Sequence, residues 1–204
     1  MFYAFAKPAG LAVHPAHEDV PDLVSWIRRQ RSLPRDLKPA HRLDRATSGV
    51  VLCGAGKRAR AQLNTALESA HKTYVALVAG EPEEAEGAFT LPLSDARRGR
   101  PLAAETRFQV RERFGGFTLL ELTLVTGRKH QLRRHLADAG LPVVGDERHG
   151  PRRPRRVPAF PGRLFLHAER IVLTERTIEA PLPEALQRCL SALRSSAGSP
   201  PGPG

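Results

Sequence analysis

His41-Arg42-Leu43-Asp44-Arg45-Ala46-Thr47-Ser48-Gly49 runs directly into the apolar stretch Val50-Val51-Leu52-Cys53. Small and polar residues giving way to a short apolar run mark a loop feeding a buried strand. Asp44 therefore lies on a loop at the mouth of a strand, a place where chemistry is commonly mounted. It is the only acid between Asp36 and Glu68, and Arg42 and Arg45 flank it. Opposite charges favour the carboxylate form, which suits a nucleophile or a base rather than a general acid. A turn aspartate bonding its own loop is the alternative reading of the same residue.

Outward from this stretch, the pattern alternates short strands and helices. Residues 2–6 read as a strand, followed by the Lys7-Pro8-Ala9-Gly10 turn. Asp22 is placed to cap a helix whose apolar face is Leu23, Val24, Trp26 and Ile27. Pro34 and Pro39 bracket a loop, and residues 57–70 form a helix burying Ala59, Leu63, Ala66 and Leu67. Residues 73–78 are a strand closed by Gly80, and the acidic residues 81–86 a solvated loop. Residues 105–114 and 117–125 form a hairpin turning at Gly115-Gly116. Residues 130–139 are a helix ending at Gly140, with Leu132, Leu136 and Ala139 on one face. An irregular Pro/Arg-rich loop (151–161), a strand (163–173) and a last helix (183–193) follow. We therefore expect one domain over residues 1–194 and a disordered Ser/Gly/Pro tail over 195–204. Without a strict βαβ rhythm, and with a central hairpin, the fold class is α+β with a mixed or antiparallel sheet.

Composition narrows the function. Thirty-two Lys+Arg against 21 Asp+Glu give a net charge of +11, which points to a polyanion, nucleic acid first. No run approaches the ~18 apolar residues of a spanning helix, and residues 1–8 do not read as a signal peptide. Cys53 and Cys189 stand far apart without ligand partners, against a disulfide framework or structural zinc and in favour of a reducing cytoplasm. His14-Pro15-Ala16-His17 lacks further ligands at metal-binding spacing. No phosphate-cradling glycine loop and no serine elbow is present, so neither a nucleotide cofactor nor a serine hydrolase is expected.

Two further segments carry candidate chemistry. Thr126-Gly127-Arg128-Lys129-His130-Gln131-Leu132-Arg133-Arg134-His135 sets cations around a helix start, where anions bind; a solvated basic face is the plainer reading. Tyr74, one of two tyrosines, is either a core aromatic or a platform for a flipped base. Arg152, Arg153, Arg155 and Arg156, with Arg97, Arg98 and Arg100, form basic patches suited to phosphate.

Lys7-Pro8-Ala9-Gly10, the Asp44 stretch, Lys72-Thr73-Tyr74 through Gly80, and the Thr126 segment with Gly145-Asp146 occur here in that order. In this the chain resembles the RluA-like pseudouridine synthase superfamily, over about residues 7–173. The resemblance implies a pseudouridine synthase fold: a mixed, mostly antiparallel sheet flanked by helices, with the active-site cleft across its middle. It implies isomerisation of a flipped uridine, with Asp44 acting on the ribose as nucleophile or base. Arg133 would pair with Asp44, with Arg128 as second choice, and Tyr74 would pack on the uracil. His41, Arg42 and Arg45 would hold the displaced strand or the backbone, and Arg128, Lys129, His130, Arg134, Arg152 and Arg153 would contact RNA. No metal or cofactor is implied, and a monomer is expected. Arg133-Arg134-His135, Gly145-Asp146-Glu147-Arg148-His149-Gly150 and Arg163-Leu164-Phe165-Leu166-His167-Ala168 most resemble the branch that modifies tRNA at uridine 65. A ribosomal RNA target is the alternative, and a non-catalytic RNA-binding module a remote one. The segment between Gly80 and Glu105 is shorter than in that branch, and an extra N-terminal RNA-binding domain is not expected.

Overall fold

In the computed structural model, residues 1–15, 20–95, 99–174 and 176–197 are described. The elements follow in the order β1 (Phe2–Lys7), α1 (Leu23–Arg29), β2 (Leu37–Pro39), β3 (Ser48–Ala55), α2 (Gly56–Glu68), β4 (His71–Ala79), β5 (Glu86–Phe89), β6 (Leu93–Asp95), β7 (Arg100–Leu102), β8 (Thr106–Arg113), β9 (Phe117–Leu124), α3 (Gln131–Asp138), β10 (Leu166–Leu173), β11 (Arg176–Glu179) and α4 (Glu184–Ala197). They build two compact units, one from Met1–Thr73 with His167–Pro181, the other from Tyr74–Leu166 with Leu182–Gly204.

The first unit is organised on β3. Its residues are buried from Ser48 to Gly54, because partners lie on both sides. β1 pairs with it antiparallel (Phe2↔Gly54 to Lys7↔Gly49), β2 antiparallel, and β10 parallel at His167↔Ser48 and Ala168↔Gly49. β11 closes back on β10. One parallel pair among antiparallel ones makes the sheet mixed, and the fold is α+β as expected. Leu63 and Leu67 of α2 pack with Val50, Leu52, Ile171 and Leu173. Asp22 caps α1 by accepting from the Ser25 amide at 2.8 Å. Trp26 departs from the expected apolar face: it is 45% exposed, its ring edge-on to Phe5 at 5.9 Å.

In the second unit the strands run in the order β4-β9-β8-β5. The β8–β9 hairpin turns at Gly115 and Gly116 with φ of 63° and 100°. Two successive positive φ values are what a tight turn matched to strand twist requires, and glycine supplies them without a Cβ clash. β9 is buried along most of its length, as its two partly apolar faces predict. Leu186, Cys189, Leu190 and Leu193 of α4 pack with Val75, Leu77, Phe117 and Leu119. Ala139, expected on the buried face of α3, is exposed at the C-cap, while Leu132 and Leu136 are buried.

Other expectations are revised at the edges. β2 occupies ground expected to be loop, and β5, β6, β7 and β11 are short strands without a period of their own. β10 starts three residues later than expected, at Leu166. α4 continues through Ser195 and Ser196 into the stretch expected as tail, and residues 198–204 lie outside the described residues, as do Ala16, His17, Arg97 and Arg98. Among the described residues no helix is long and apolar enough to cross a membrane.

The β3–β10 contact is so close that Gly49 has no room for a side chain. A Cβ there would lie 2.1 Å from the Ala168 carbonyl oxygen, on a backbone with φ of 125°. Gly49→Ala is therefore expected to cost about 3 kcal/mol or more, read as a lowered thermal midpoint; an unchanged midpoint would mean the two strands separate freely.

Candidate active site

Asp44 sits where the sequence places it, on the loop ahead of β3. Its carbonyl accepts from the Thr47 amide at 3.1 Å, which turns the chain into the strand. The side chain is half-buried, with Arg42 and Arg45 exposed on either side and Leu43 buried between. The loop is held from below by Lys7. This lysine is only 2% exposed. Its Nζ donates to the Pro8 carbonyl at 2.9 Å, the Leu11 carbonyl at 2.8 Å and the Arg45 carbonyl at 3.3 Å. The Gly10 amide donates to the same Arg45 carbonyl at 2.8 Å. Burying an ammonium is unfavourable unless its donors are used, so the Lys-Pro turn and the Asp44 loop are locked together.

His41 does not stand out toward a ligand as expected. Its Nε2 accepts from the Leu52 amide at 3.0 Å, fixing the chain against β3. Burial, reinforced by the Lys72 charge, lowers its pKa to about 4. The ring is therefore neutral at ordinary pH, which the acceptor role demands. On the strand after it, Ser48 meets His167 Nδ1 at 2.8 Å, and His167 Nε2 faces the Ala180 carbonyl at 3.0 Å. A carbonyl only accepts, so Nε2 carries a proton that it donates to Ala180.

In the second unit, Tyr74 lies in β4 with only 9% of its surface exposed. Arg133, on α3, is buried. Its Nε donates to Asp146 Oδ2 at 2.7 Å and its Nη2 to Asp146 Oδ1 at 2.6 Å, with side chains 8% and 1% exposed. This is a bidentate fork. The Arg148 and His149 amides also donate to Oδ1, each at 3.0 Å. Burial pushes the Asp146 carboxyl up, but the Arg133 guanidinium and the His149 and Arg148 amides outweigh it, and its pKa lies below the ordinary value. Sequence reading named Gly145-Asp146 without a role; the structure makes Asp146 the residue that aims Arg133.

The rest of the Thr126 segment is mostly internal. Gln131 Oε1 accepts from the Thr126 hydroxyl and the Arg128 amide, and Gln131 Nε2 donates to Thr106 Oγ1 at 3.0 Å. His135, between Thr106 Oγ1 and the Leu91 carbonyl, continues this chain. Arg134 donates to the Ser94 carbonyl and hydroxyl, so it clamps β6 instead of standing free for RNA. Arg128 is exposed with its Nε on the Ala103 carbonyl, and Lys129, Arg152 and Arg153 are exposed. His130 has a left-handed backbone (φ 54°) at the N-cap of α3, and its Nδ1 lies 2.9 Å from His149 Nε2. His149 is drawn below the ordinary histidine pKa, chiefly by desolvation. Arg155 donates to the Gly116 carbonyl and lies over the Phe117 ring.

Breaking the fork from either side takes a bidentate partner away from a buried charge. Arg133→Met and Asp146→Asn are each expected to cost about 3–5 kcal/mol of stability, measured by denaturant unfolding; a loss under about 1 kcal/mol would place the pair in contact with water. Acid should act in two stages. The folded pKa of His41 lies below its ordinary 6.5, so its contribution is complete above that value and is lost between 6.5 and about 4. Asp146 contributes fully above the ordinary aspartate pKa of 3.8 and loses that contribution below it, as pH falls through its depressed folded value. Unfolding curves across this range check both, with Asp146→Asn removing the lower stage.

Residues 1–138 match the family model described as RNA pseudouridylate synthase. The chain is 36% identical to the ribosomal large subunit pseudouridine synthase C of Escherichia coli K12, over 93% of this chain and 66% of that protein. It is 38% identical to the protein of the same name from Yersinia pestis, over 94% of this chain and 66% of the relative. It therefore spans just under two thirds of these relatives' length. Among solved structures, human RNA pseudouridylate synthase domain containing 4 superposes with a TM-score of 0.75 at 24% identity, covering 95% of this chain and 90% of that one. Human RNA pseudouridylate synthase domain containing 1 gives 0.69 at 23% identity, covering 100% and 93%. These relatives are named for the ribosomal large subunit and not for tRNA, the target that the sequence reading put first. The chain belongs to the RNA pseudouridylate synthase family.

Proposed function

We propose that this protein isomerises uridine to pseudouridine in RNA of the large ribosomal subunit. The observation that carries the reading is the Asp44 loop. A single carboxylate stands between two exposed arginines, on a loop pinned by the buried Lys7, in a chain with net charge +11. The likeness to ribosomal large subunit pseudouridine synthase C supports the RNA class.

In this reading the N1–C1′ bond of the target uridine breaks, the uracil leaving with the bonding pair. The ring turns and C5 bonds to C1′. The C5 proton departs and N1 ends protonated, so the product is an isomer and no co-reactant is consumed. Asp44 acts on the ribose, as nucleophile or as base. The exposed Arg42 and Arg45 neutralise neighbouring phosphates. The family resemblance also assigns Tyr74 and Arg133 to the reaction. Asp146 contributes by holding the Arg133 guanidinium in one orientation.

Unmodified large-subunit rRNA and unmodified tRNA, each incubated with the protein and mapped chemically for pseudouridine, test the target. Modification of the rRNA is expected; modification of tRNA alone overturns the assignment. Asp44→Asn is expected to lower turnover by about 10³-fold or more with RNA affinity largely kept, and an active Asn variant sinks the mechanism. Arg152→Ala combined with Arg153→Ala should reduce the slope of log affinity against log salt by about 1 to 2. An unchanged slope would turn that loop away from the RNA.

A further inference from the structure

Beside the Asp44 loop, within the first unit, lies a cavity of about 260 Å³ lined by Ala12, Val13, His14, Val20, Arg42, Leu43 and Arg45. Its chemistry is divided. Ala12, Val13 and Leu43 are buried apolar residues and form a floor, while His14, Arg42 and Arg45 are exposed at its sides. The walls are set by backbone bonds. The Ala12 amide donates to the Pro21 carbonyl at 3.0 Å, and the Leu23 amide donates to the Ala12 carbonyl at 2.9 Å. On the opposite side, Gly10 and Lys7 hold the Arg45 carbonyl, and Lys7 also holds that of Leu11. The cavity is therefore preformed rather than a gap between free side chains.

We infer that this cavity is a subsite for one nucleotide of the RNA strand next to the target uridine, its base on the Ala12, Val13 and Leu43 floor and its phosphate on Arg42 and Arg45. The inference rests on the proposed function and deepens it. The volume lies below the ~300 Å³ at which pockets for larger ligands begin, which suits a single planar base. An aliphatic floor packs against the apolar face of a base of any identity, and guanidinium groups at a rim match phosphate oxygens in a fork. Desolvation and the Arg42 charge push the His14 pKa down against a smaller opposite pull from Asp22, so its ring can accept as well as donate a hydrogen bond at neutral pH. Leu43 and Arg45 are the immediate neighbours of Asp44 in the chain. A base seated on Leu43 thus lies beside the loop that carries the residue assigned to the ribose.

The test uses the full chain and a probe that needs no RNA target. Amide and arginine side-chain NMR signals are followed during titration with adenosine 5′-monophosphate, uridine 5′-monophosphate and inorganic phosphate. The mononucleotides are expected to shift Val13 and Leu43 amides, and inorganic phosphate only the Arg42 and Arg45 side chains. Val20→Trp, which adds bulk to the cavity lining, should weaken mononucleotide binding by at least about tenfold with native amide dispersion kept. The inference is overturned if the mononucleotides shift nothing that inorganic phosphate does not, or if a well-dispersed Val20→Trp protein binds them as before. Isomerisation of rRNA is measured on the same wild-type sample. Isomerisation without nucleotide-specific shifts removes the subsite and leaves the function; shifts without isomerisation remove the function and leave a nucleotide site.

Discussion

One buried ammonium organises the part of the molecule on which the functional reading rests. Lys7 ends β1, and its Nζ reaches the carbonyls of Pro8, Leu11 and Arg45. A lysine this deep is tolerated when its donors find acceptors, and these carbonyl oxygens supply them. The bonds tie the turn after β1 to the loop before β3, two segments nearly forty residues apart in the chain. The Asp44 loop then cannot drift relative to the sheet, and the cavity walls inherit the same restraint. A site needing sub-ångström placement gains from being mounted on such a pinned loop.

The second unit solves a related problem with an anion. Asp146 is closed in by a guanidinium fork and two amides, so Arg133 is aimed by a partner that cannot easily move. The two amides belong to the turn carrying His149, whose ring meets His130. One carboxylate thereby sets both the arginine on α3 and the geometry at the start of that helix. Around it, Gln131, Thr106 and His135 pass hydrogen bonds from the Thr126 segment to the Leu91 carbonyl. Residues that look in sequence like a basic face turn out to be an internal polar scaffold, with Arg128 and Lys129 left exposed.

The mechanism and the scaffold make different demands on similar residue types, which is why charge alone misleads. Arg42, Arg45, Arg152 and Arg153 are exposed and suited to phosphate. Arg134 and Arg155 carry the same charge but bond protein carbonyls. His41, flanking the carboxylate in sequence, serves the strand by accepting from Leu52. Nothing in the linear pattern separates these cases, because each depends on which acceptor the fold brings within three ångströms.

Local pattern was enough for the elements whose signal is local. β1, β3, α2, the β8–β9 hairpin and the Asp22 cap follow from apolar spacing, paired glycines and a capping carboxylate. The Asp44 loop was legible for the same reason: polar turn residues followed at once by an apolar run. The short strands β2, β5, β6, β7 and β11 were not, since three or four residues carry no period and become strands only when a partner edge is offered. The exposure of Trp26, the burial of Lys7 and the Arg133–Asp146 fork likewise belong to tertiary structure. The sequence by itself determined which residues with chemistry stand on which loop or helix, because those choices are made by neighbours in the chain. The folded structure alone decided which charges face water and which are consumed holding the frame, because burial and hydrogen-bond partners are supplied by segments distant in sequence.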